Sequence, residues 1–376
     1  MSQLSKANTA TDWNTHLRGP SRRRRAPRWQ LRLIHPRGVR FTLPLGVEPV
    51  TLGRGNPGDY PPGLPLPYIS RKHAVLSWQD GAHYAIEQGS TNGTWLNGMR
   101  LHKEHPVPLA ERGIIRILDA LMVYEQVPSS GGADNITSAL IPGASATSAR
   151  LRQRLTAIGN RDDHTLLIGP PHVGRSHAAR AVASLSGGHM IELTANHMSP
   201  ADEAFLLAST HQQNTVIILH NVHDLAPITQ RRLASLVTTV AKAKLICTAL
   251  PTLQRRSLDG SFHRELYLAL ARHEVVIPTL QERRADLLQW IDFLHQRNAT
   301  TDGDITRQGP LPFTGEALET MLLHPWSDNF EQLDYIVRTL SNRPSGQPFA
   351  RSEVTCLLDE TSTMEITQET RAPFAA

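Results

Sequence analysis

The stretch GSTNGTWLNG, residues 89–98, decides the fold of the first third of this 376-residue chain. It closes on Asn97-Gly98, which stand between two short apolar segments. Both residue types tolerate the positive φ angles that a two-residue hairpin turn requires. Similar short apolar segments, separated by Gly, Pro and Asn, recur from Trp29 to Val127. This alternation and spacing predict an all-β sandwich.

Residues suited to binding phosphate lie in this stretch and ahead of it. Hydrogen bonding to a phosphate group needs an arginine fork, a small hydroxyl and an amide, all carried on loops. Arg54, Ser70 and Asn92 supply these three groups. The intervening loop, residues 55–68, is long and rich in proline, and we expect it to shape the pocket.

Four sequence blocks resemble the forkhead-associated (FHA) family, whose β-sandwich domains bind phosphothreonine peptides. The resemblance covers about Arg28 to Gln126 and is carried by Gly53-Arg54, Ser70-Arg71-Lys72-His73, Gly89 to Thr94, and Asn97-Gly98. It implies phosphopeptide-binding roles for Arg54, Ser70, Arg71, Lys72, Thr91 and Asn92. It implies structural roles for Gly53, His73, Gly93, Asn97 and Gly98. The residues alone leave open a sandwich that has lost binding.

The sequence pattern changes after residues 127–150, which are rich in Pro, Ser, Gly and Ala and predict a linker. From Leu151 onward, strand-like apolar runs alternate with helical ones, which predicts an α/β domain around a mostly parallel sheet. Several blocks resemble the AAA+ module of bacterial sigma-54 activators. They are Gly169–Ser176, Thr215–Gln230, Phe262–Tyr267, Ile277–Leu287 and Pro325–Leu333.

The residues that this AAA+ family uses on nucleotide are replaced here. Arg175 stands at the P-loop lysine, and Pro170 and Pro171 have no N–H to offer a phosphate. His220-Asn221 stand where the family has its Asp-Glu pair. We therefore expect a degenerate nucleotide site at Gly169, Gly174, Arg175, Ser176, His220 and Asn221.

Further positions of the resemblance depart in the same direction. The sensor asparagine falls on Leu250, the two arginine fingers fall on His263 and Ala269, and the lid arginine falls on Glu331. The family's sigma-factor-contacting loop has no counterpart in the roughly twenty residues between Thr194 and Thr215. We expect no enzyme activity, no metal site, no cofactor and at most weak binding of ATP and Mg²⁺.

Composition bounds the remaining possibilities. The net charge is +5, Arg22 to Arg25 form a basic run, and no apolar run approaches the roughly 20 residues of a membrane span. Two cysteines and the absence of a signal-like N-terminus favour a cytoplasmic protein. We expect a solvated arm rather than nucleic-acid binding, although a basic run can also bind nucleic acid.

These observations together predict a multidomain chain: an all-β FHA sandwich, then an α/β AAA+-like P-loop domain with a small helical lid. The predicted segments are a disordered basic arm (1–28), the FHA domain (29–126), a linker (127–150), the AAA+-like domain (151–298), the lid (311–341) and a flexible Thr-rich tail (342–376). A phosphorylated tail threonine that occupies the FHA site is a further hypothesis.

The leading hypothesis for function is a phosphothreonine-binding signalling adaptor or scaffold with a pseudo-ATPase body, acting downstream of a Ser/Thr kinase. Its expected partners are Thr-phosphorylated proteins, the kinase or its substrate, with self-association through the AAA+-like body as a further expectation. The alternative is an FHA-coupled, sigma-54-dependent transcriptional regulator that hydrolyses ATP.

Overall fold

The computed structural model describes residues 29–55, 63–127, 141–196, 198–239, 241–301, 309–343 and 347–368. The predicted arm, residues 1–28, lies outside these ranges, as do residues 369–376 of the predicted tail and residues 128–140 of the predicted linker.

Ten strands form the N-terminal part of the chain as two stacked antiparallel sheets. One sheet has the order β2-β1-β10-β9-β6-β7 and the other has the order β3-β4-β5-β8. Their bounds are β1 (Trp29–His35), β2 (Thr42–Leu45), β3 (Val50–Leu52), β4 (Ala74–Gln79), β5 (Ala82–Glu87), β6 (Trp95–Leu96), β7 (Met99–Arg100), β8 (Pro106–Pro108), β9 (Ile114–Ile117) and β10 (Ala120–Gln126).

The hairpin that the sequence predicts joins β6 to β7. Asn97 and Gly98 have φ angles of 50° and 80°. The Asn97 side chain also accepts a hydrogen bond from the backbone N of Ile114, at 2.9 Å, which connects the turn to strand β9. Local turn chemistry therefore sets the register of this part of the sheet.

Both faces of β9 and β10 are buried, although a two-sheet sandwich requires only one buried face. Alternate residues such as Ile115 and Met122 belong to the sandwich core. Their neighbours Ile114, Leu121 and Val123 belong instead to the core of the following domain. Because successive side chains point to opposite faces of a strand, the outer face of this sheet is a domain interface.

The following domain is built on a five-stranded parallel sheet of order β12-β13-β14-β11-β15. The strands are β11 (Thr165–Ile168), β12 (His189–Thr194), β13 (Thr215–His220), β14 (Lys244–Ala249) and β15 (His273–Val276). The helices are α1 (Ala146–Gly159), α2 (Arg175–Ser186), α3 (Pro200–Ser209), α4 (Pro227–Thr239), α5 (Leu253–Leu258), α6 (Arg264–Leu270) and α7 (Leu287–Thr301). Short 3₁₀ turns span Val222–Asp224 and Gln281–Asp286.

The end of the predicted linker is wrong, because α1 begins at Ala146. The side chain of Ser145 caps this helix by accepting a hydrogen bond from Ser148 N. Ser145 and Ser148 both donate their hydroxyls to the buried carboxylate of Asp286, at 2.5 and 2.6 Å. The capping residue is thereby connected to Asp286, which is 141 positions away in the sequence. The composition of the linker did not indicate this contact.

A helical lid follows, with α8 (Gly315–Leu323), α9 (Asn329–Ser341) and α10 (Arg351–Gln368). The prediction of a flexible tail is wrong for α10. Val354, Leu357 and Leu358 are buried, and Thr361 accepts a hydrogen bond from Gln332 at 2.9 Å. Burial of Thr361 also argues against its use as a kinase target in the folded chain.

Helix α8 lies against β9 and β10 and so joins the lid to the sandwich. Asp119 accepts a hydrogen bond from Gly315 N at 2.8 Å, and Glu319 accepts one from Gly98 N at 3.1 Å. A further contact joins the sandwich to α7, where the guanidinium of Arg37 forms an ion pair with Asp292 at 2.8 Å.

Within the described ranges, no helix is long and apolar enough to cross a membrane.

Candidate functional site

The residues predicted to read phosphate lie on two loops at one end of the sandwich. Arg54 follows β3, is exposed, and its backbone N donates to Ser70 O at 3.0 Å. Its Nη1 donates to Pro67 O at 3.0 Å, which orients the guanidinium along the loop. Exposed Arg71 and Lys72 follow Ser70 directly, so positive charge concentrates here.

The second loop closes on the first through hydrogen bonds. Thr91 N donates to Ser70 Oγ at 3.3 Å, and Asn92 Nδ2 donates to Tyr68 O at 2.9 Å. The structure thus brings together the arginine, hydroxyl and amide that the sequence separates by up to 38 positions (92 − 54). We call Arg54, Ser70, Thr91 and Asn92 the apex cluster.

Two of the residues assigned structural roles hold these loops in place. His73 is buried, and its Nε2 lies 2.9 Å from Gly93 O and 3.0 Å from Ser90 Oγ. Gly53 lies against the backbone of Arg71, where an added Cβ would overlap the Arg71 carbonyl oxygen. Close approach of backbone to backbone therefore requires glycine at position 53.

Glu87, which the sequence analysis did not single out, is a third support. Its side chain is buried, with 4% of the residue exposed, and accepts hydrogen bonds from Ser90 N at 2.6 Å and from the Thr94 hydroxyl. Burial alone would raise the pKa of Glu87, but these hydrogen bonds outweigh it and hold the pKa below its usual value. The sequence signal available for the burial of Glu87 was its position at the end of β5, in register with the inward-facing residues of that strand.

A second candidate site lies between the parallel sheet and the lid, in a cavity of about 470 Å³. Its walls come from the loop before α2, from the ends of β13 and β14, and from α7 and α9. The degenerate-site residues that line it are Gly174, Arg175, Ser176, His220 and Asn221. Gly169 lies just before the loop, packed against Val173 and Ile277.

Three consecutive carbonyl groups of this loop are bound by residues of the lid and of the turn before α7. Asn329 Nδ2 donates to Pro171 O at 3.2 Å, and Phe330 N donates to His172 O at 3.1 Å. The Nη2 atom of Arg283 donates to Val173 O at 2.6 Å. We call these three hydrogen bonds the loop latch.

Arg283 was missed in the sequence analysis, and it is the charged residue of the latch. Its exposed fraction is 2%, and it faces the rings of Trp290 and Phe330 at 5.3 and 4.9 Å. Burial lowers the pKa of Arg283 to about 10, against the opposing effect of Asp286 and Glu282. It lies in the run QERRAD, where composition does not distinguish the buried Arg283 from the other three charged residues.

Arg175 and His220 are the residues that the sequence analysis aligned with the lysine and a carboxylate of an active nucleotide site. Arg175 is half-buried, its pKa is lowered by burial and partly restored by Asp224, and its Nη1 has no partner among the described residues. His220 Nε2 lies 2.7 Å from Glu192 Oε1, and Arg180 binds the same carboxylate at 2.7 Å. Hydrogen bonds from Arg180 and then His220 lower the pKa of Glu192, against the effect of its burial.

The side chains at the end of β13 differ from those of a typical magnesium–nucleotide site. Mg²⁺ prefers oxygen ligands, and the end of β13 offers an imidazole and an amide instead of two carboxylates. Among the described residues, no group of three or more His, Cys, Asp or Glu could hold a metal ion. The lid contributes Glu331, which pairs with His172 at 3.5 Å and adds negative charge to the cavity wall.

Comparison with known families agrees with both domains. The profile described as "FHA domain" matches residues 50–118, and the profile described as "Sigma-54 interaction domain" matches residues 142–280. The chain combines an FHA domain with a sigma-54 interaction domain. The apex cluster lies in the FHA domain, and most of the cavity lies in the sigma-54 interaction domain.

Two curated relatives are bacterial regulators. The nitrogen assimilation regulatory protein NtrX of Azorhizobium caulinodans is 23% identical over 238 residues, which are 55% of this chain and 51% of that protein. The regulatory protein LuxO of Vibrio cholerae is 23% identical over 159 residues, which are 42% of this chain and 28% of that protein. This chain therefore spans about half or less of the length of each.

Among solved structures, NtrX from Brucella abortus in complex with ADP is similar with a TM-score of 0.51 and 17% identity. The match covers 64% of this chain and 59% of that chain. At this identity the likeness concerns the fold, and it agrees with the parallel sheet of the sigma-54 interaction domain.

Proposed function

We propose that this chain is a regulator that captures phosphothreonine-containing proteins through its FHA domain and uses its sigma-54 interaction domain as a scaffold without ATP hydrolysis. It acts downstream of a Ser/Thr kinase, whose product or whose own phosphorylated segment is the ligand. The observation that carries this proposal is the apex cluster, in which Arg54, Ser70, Thr91 and Asn92 meet on exposed loops.

The chemistry of the apex cluster supports phosphate as the ligand. A guanidinium and a hydroxyl both donate hydrogen bonds to phosphate oxygens, and charge-assisted bonds of this kind contribute about 1.5–3 kcal/mol each. Exposed Arg71 and Lys72 add charge that attracts a dianion. FHA domains in general bind phosphothreonine-containing partners.

The scaffold half of the proposal rests on the cavity. The loop latch uses three carbonyl groups to connect the loop before α2 to its surroundings, and the Nε2 atom of His220 is engaged by Glu192. Hydrogen bonds within the chain therefore connect this loop to the lid. The regulator names of the two curated relatives agree with a regulatory role.

A fluorescence-anisotropy titration tests the FHA half. The full chain is titrated into degenerate phosphothreonine peptides and their unphosphorylated twins, with Arg54→Ala as the binding-deficient variant. We expect micromolar binding that requires both phosphate and Arg54. Equal binding of phosphorylated and unphosphorylated peptides would refute the proposed capture of phosphothreonine.

The scaffold half is tested by steady-state ATP hydrolysis with Mg²⁺, compared with a Gly174→Ala variant. We expect both proteins to show only background phosphate release. Turnover by the unmodified chain above that variant would favour the alternative, a regulator that hydrolyses ATP.

A further inference from the structure

Two long cationic side chains lie along the 89–93 loop, beside the apex cluster. Measured from the position that a Cβ would take on Gly93, the Nε and Nη2 atoms of Arg100 are 3.0 and 3.1 Å away. Measured in the same way from Gly89, the Cε atom of Lys103 is 3.1 Å away. Both side chains are exposed, and both follow the loop rather than extending into solvent.

Stacking holds the Arg100 side chain in this position. Arg100 is paired with Trp95 across the β6–β7 hairpin, and its guanidinium carbon lies 5.5 Å from the Trp95 ring centroid. Arg116 covers the same ring at 4.3 Å. A guanidinium held over a ring can still donate hydrogen bonds to an acceptor, and pre-orientation lowers the entropy lost when that acceptor binds.

No acidic group within the described residues neutralises Arg100 through an ion pair. Three acids among the described residues at this end of the sandwich are engaged elsewhere: Glu87 is buried, Asp119 accepts from Gly315 N, and Glu104 pairs with Lys103 at 3.3 Å. The Lys103–Glu104 pair is exposed on both sides and therefore weak. The exposed cations around the apex cluster are Arg54, Arg71, Lys72, Arg100 and Lys103.

We propose that Arg100, assisted by Lys103, selects phosphothreonine segments that carry a carboxylate close to the phosphothreonine. Gly93 follows Asn92 directly, so Arg100 lies next to a predicted contact of the peptide. An extended peptide advances about 3.3 Å per residue, so side chains within about four positions of the phosphothreonine reach it. The planar guanidinium fork matches a carboxylate.

The partner that fits this surface is an acidic phosphothreonine segment of another protein. This inference rests on the proposed phosphothreonine binding and names its preferred ligand. Nucleic acid is the competing class of ligand for a basic surface, and the experiment below distinguishes it from an acidic peptide.

The test uses the full chain and a set of nine fluorescent peptides. One has a phosphothreonine in an alanine background, and eight carry a single glutamate at each position from four before to four after it. We expect glutamate at one or two neighbouring positions to tighten binding roughly threefold to tenfold. Arg100→Ala should abolish that gain and change the affinity for the alanine-background peptide less than twofold.

Charge reversal and a matched control complete the design. Arg100→Glu should prefer lysine over glutamate at the selected position. Arg150→Ala removes the same charge from α1, where Arg150 is exposed and bound to Gln126, and should retain the glutamate preference.

Each outcome decides between the proposals. Phosphate-dependent binding with no glutamate preference, or with a preference that survives Arg100→Ala, overturns the role of Arg100 and leaves the proposed function standing. Loss of phosphate dependence in every peptide overturns both. Displacement of the glutamate peptide by single-stranded DNA, with DNA affinity falling in Arg100→Ala, would assign the arginine to nucleic acid instead.

Discussion

Arg116 of the FHA domain and Glu319 of lid helix α8 form a buried ion pair, with Nε 2.6 Å from Oε2. The side chains are 6% and 7% exposed, respectively. Glu319 also accepts the hydrogen bond from Gly98 N, and Arg116 stacks on Trp95. One carboxylate thus joins strand β9 and the β6–β7 hairpin turn of the sandwich to the lid.

Removal of this carboxylate should weaken the coupling between the unfolding of the FHA domain and the unfolding of the domain that follows it. Glu319→Ala leaves a buried guanidinium without its main counter-charge, which typically costs about 3–5 kcal/mol. We expect a lower urea midpoint, or a split into two transitions. Glu316→Ala is the matched control, because Glu316 is 56% exposed and lies 3.6 Å from Arg116 Nη1. A loss as large in the control as in Glu319→Ala would contradict the assignment of the interface to Glu319.

Glu87 should make the FHA domain sensitive to acid. Its pKa is lowered in the folded state, so its contribution to stability is fully present above an unfolded-state pKa near 4.3 and is lost as the pH falls through the folded value. Glu87→Gln should reduce the free energy of unfolding by about 1.5–3 kcal/mol at pH 7. The gap between wild type and variant should close as the pH falls below about 4.

Thermal denaturation at several pH values measures this effect. Glu48→Gln, at an exposed glutamate, is the control and should follow the wild type. A Glu87→Gln deficit that stays constant across the acid range would exclude an ionised Glu87 as the cause.

Gly53 should be intolerant of a side chain. In Gly53→Ala, the new Cβ meets the Arg71 carbonyl oxygen, and the strain should cost about 1–3 kcal/mol and displace the loop that carries Ser70. We therefore expect a lower melting temperature and weaker phosphopeptide binding. Gly46→Ala has open space around the added Cβ and should behave as wild type in both measurements.

The loop latch should be measurable at Asn329. This residue has a φ of 49°, accepts from Leu280 N at 3.0 Å and donates to Pro171 O. Asn329→Ala loses both bonds and strains the backbone, so we expect a loss of about 2–4 kcal/mol in urea unfolding. Asn329→Gly loses the same bonds without the left-handed strain and should recover about 1 kcal/mol. Equal losses would show that backbone conformation contributes nothing at this position.

Features governed by local chemistry were predictable from the sequence. Asn97-Gly98 fixes a turn by residue type alone, and the alternating strands and helices after Leu151 give the parallel sheet. Arg54, Ser70 and Asn92 were singled out by the chemistry of their side chains, and Thr91 by the resemblance to the FHA family. The structure places the four of them together, while their binding of phosphate stays a prediction.

Features governed by burial across long sequence separations were not predictable. Glu87 and Arg283 look like ordinary surface charges until the fold encloses them. Helix α10 carries apolar residues at three- and four-residue spacing, Val354, Leu357 and Leu358, but lies among threonines and acids that resemble a tail. Only docking against the lid gives this weak pattern a stable conformation.

The joint between α8 and the sandwich has a consequence for avidity. A flexible tether lets a captured partner sample a volume that grows with linker length, which dilutes any second contact with the same chain. Here the Arg116–Glu319 and Asp119–Gly315 contacts fix the sandwich against the lid, so a phosphopeptide bound as proposed would leave the FHA domain in a set direction relative to the lid. A partner whose second binding surface lies at the matching distance would meet the lid at a high local concentration. A partner with a different geometry would gain no affinity for the lid from the first contact.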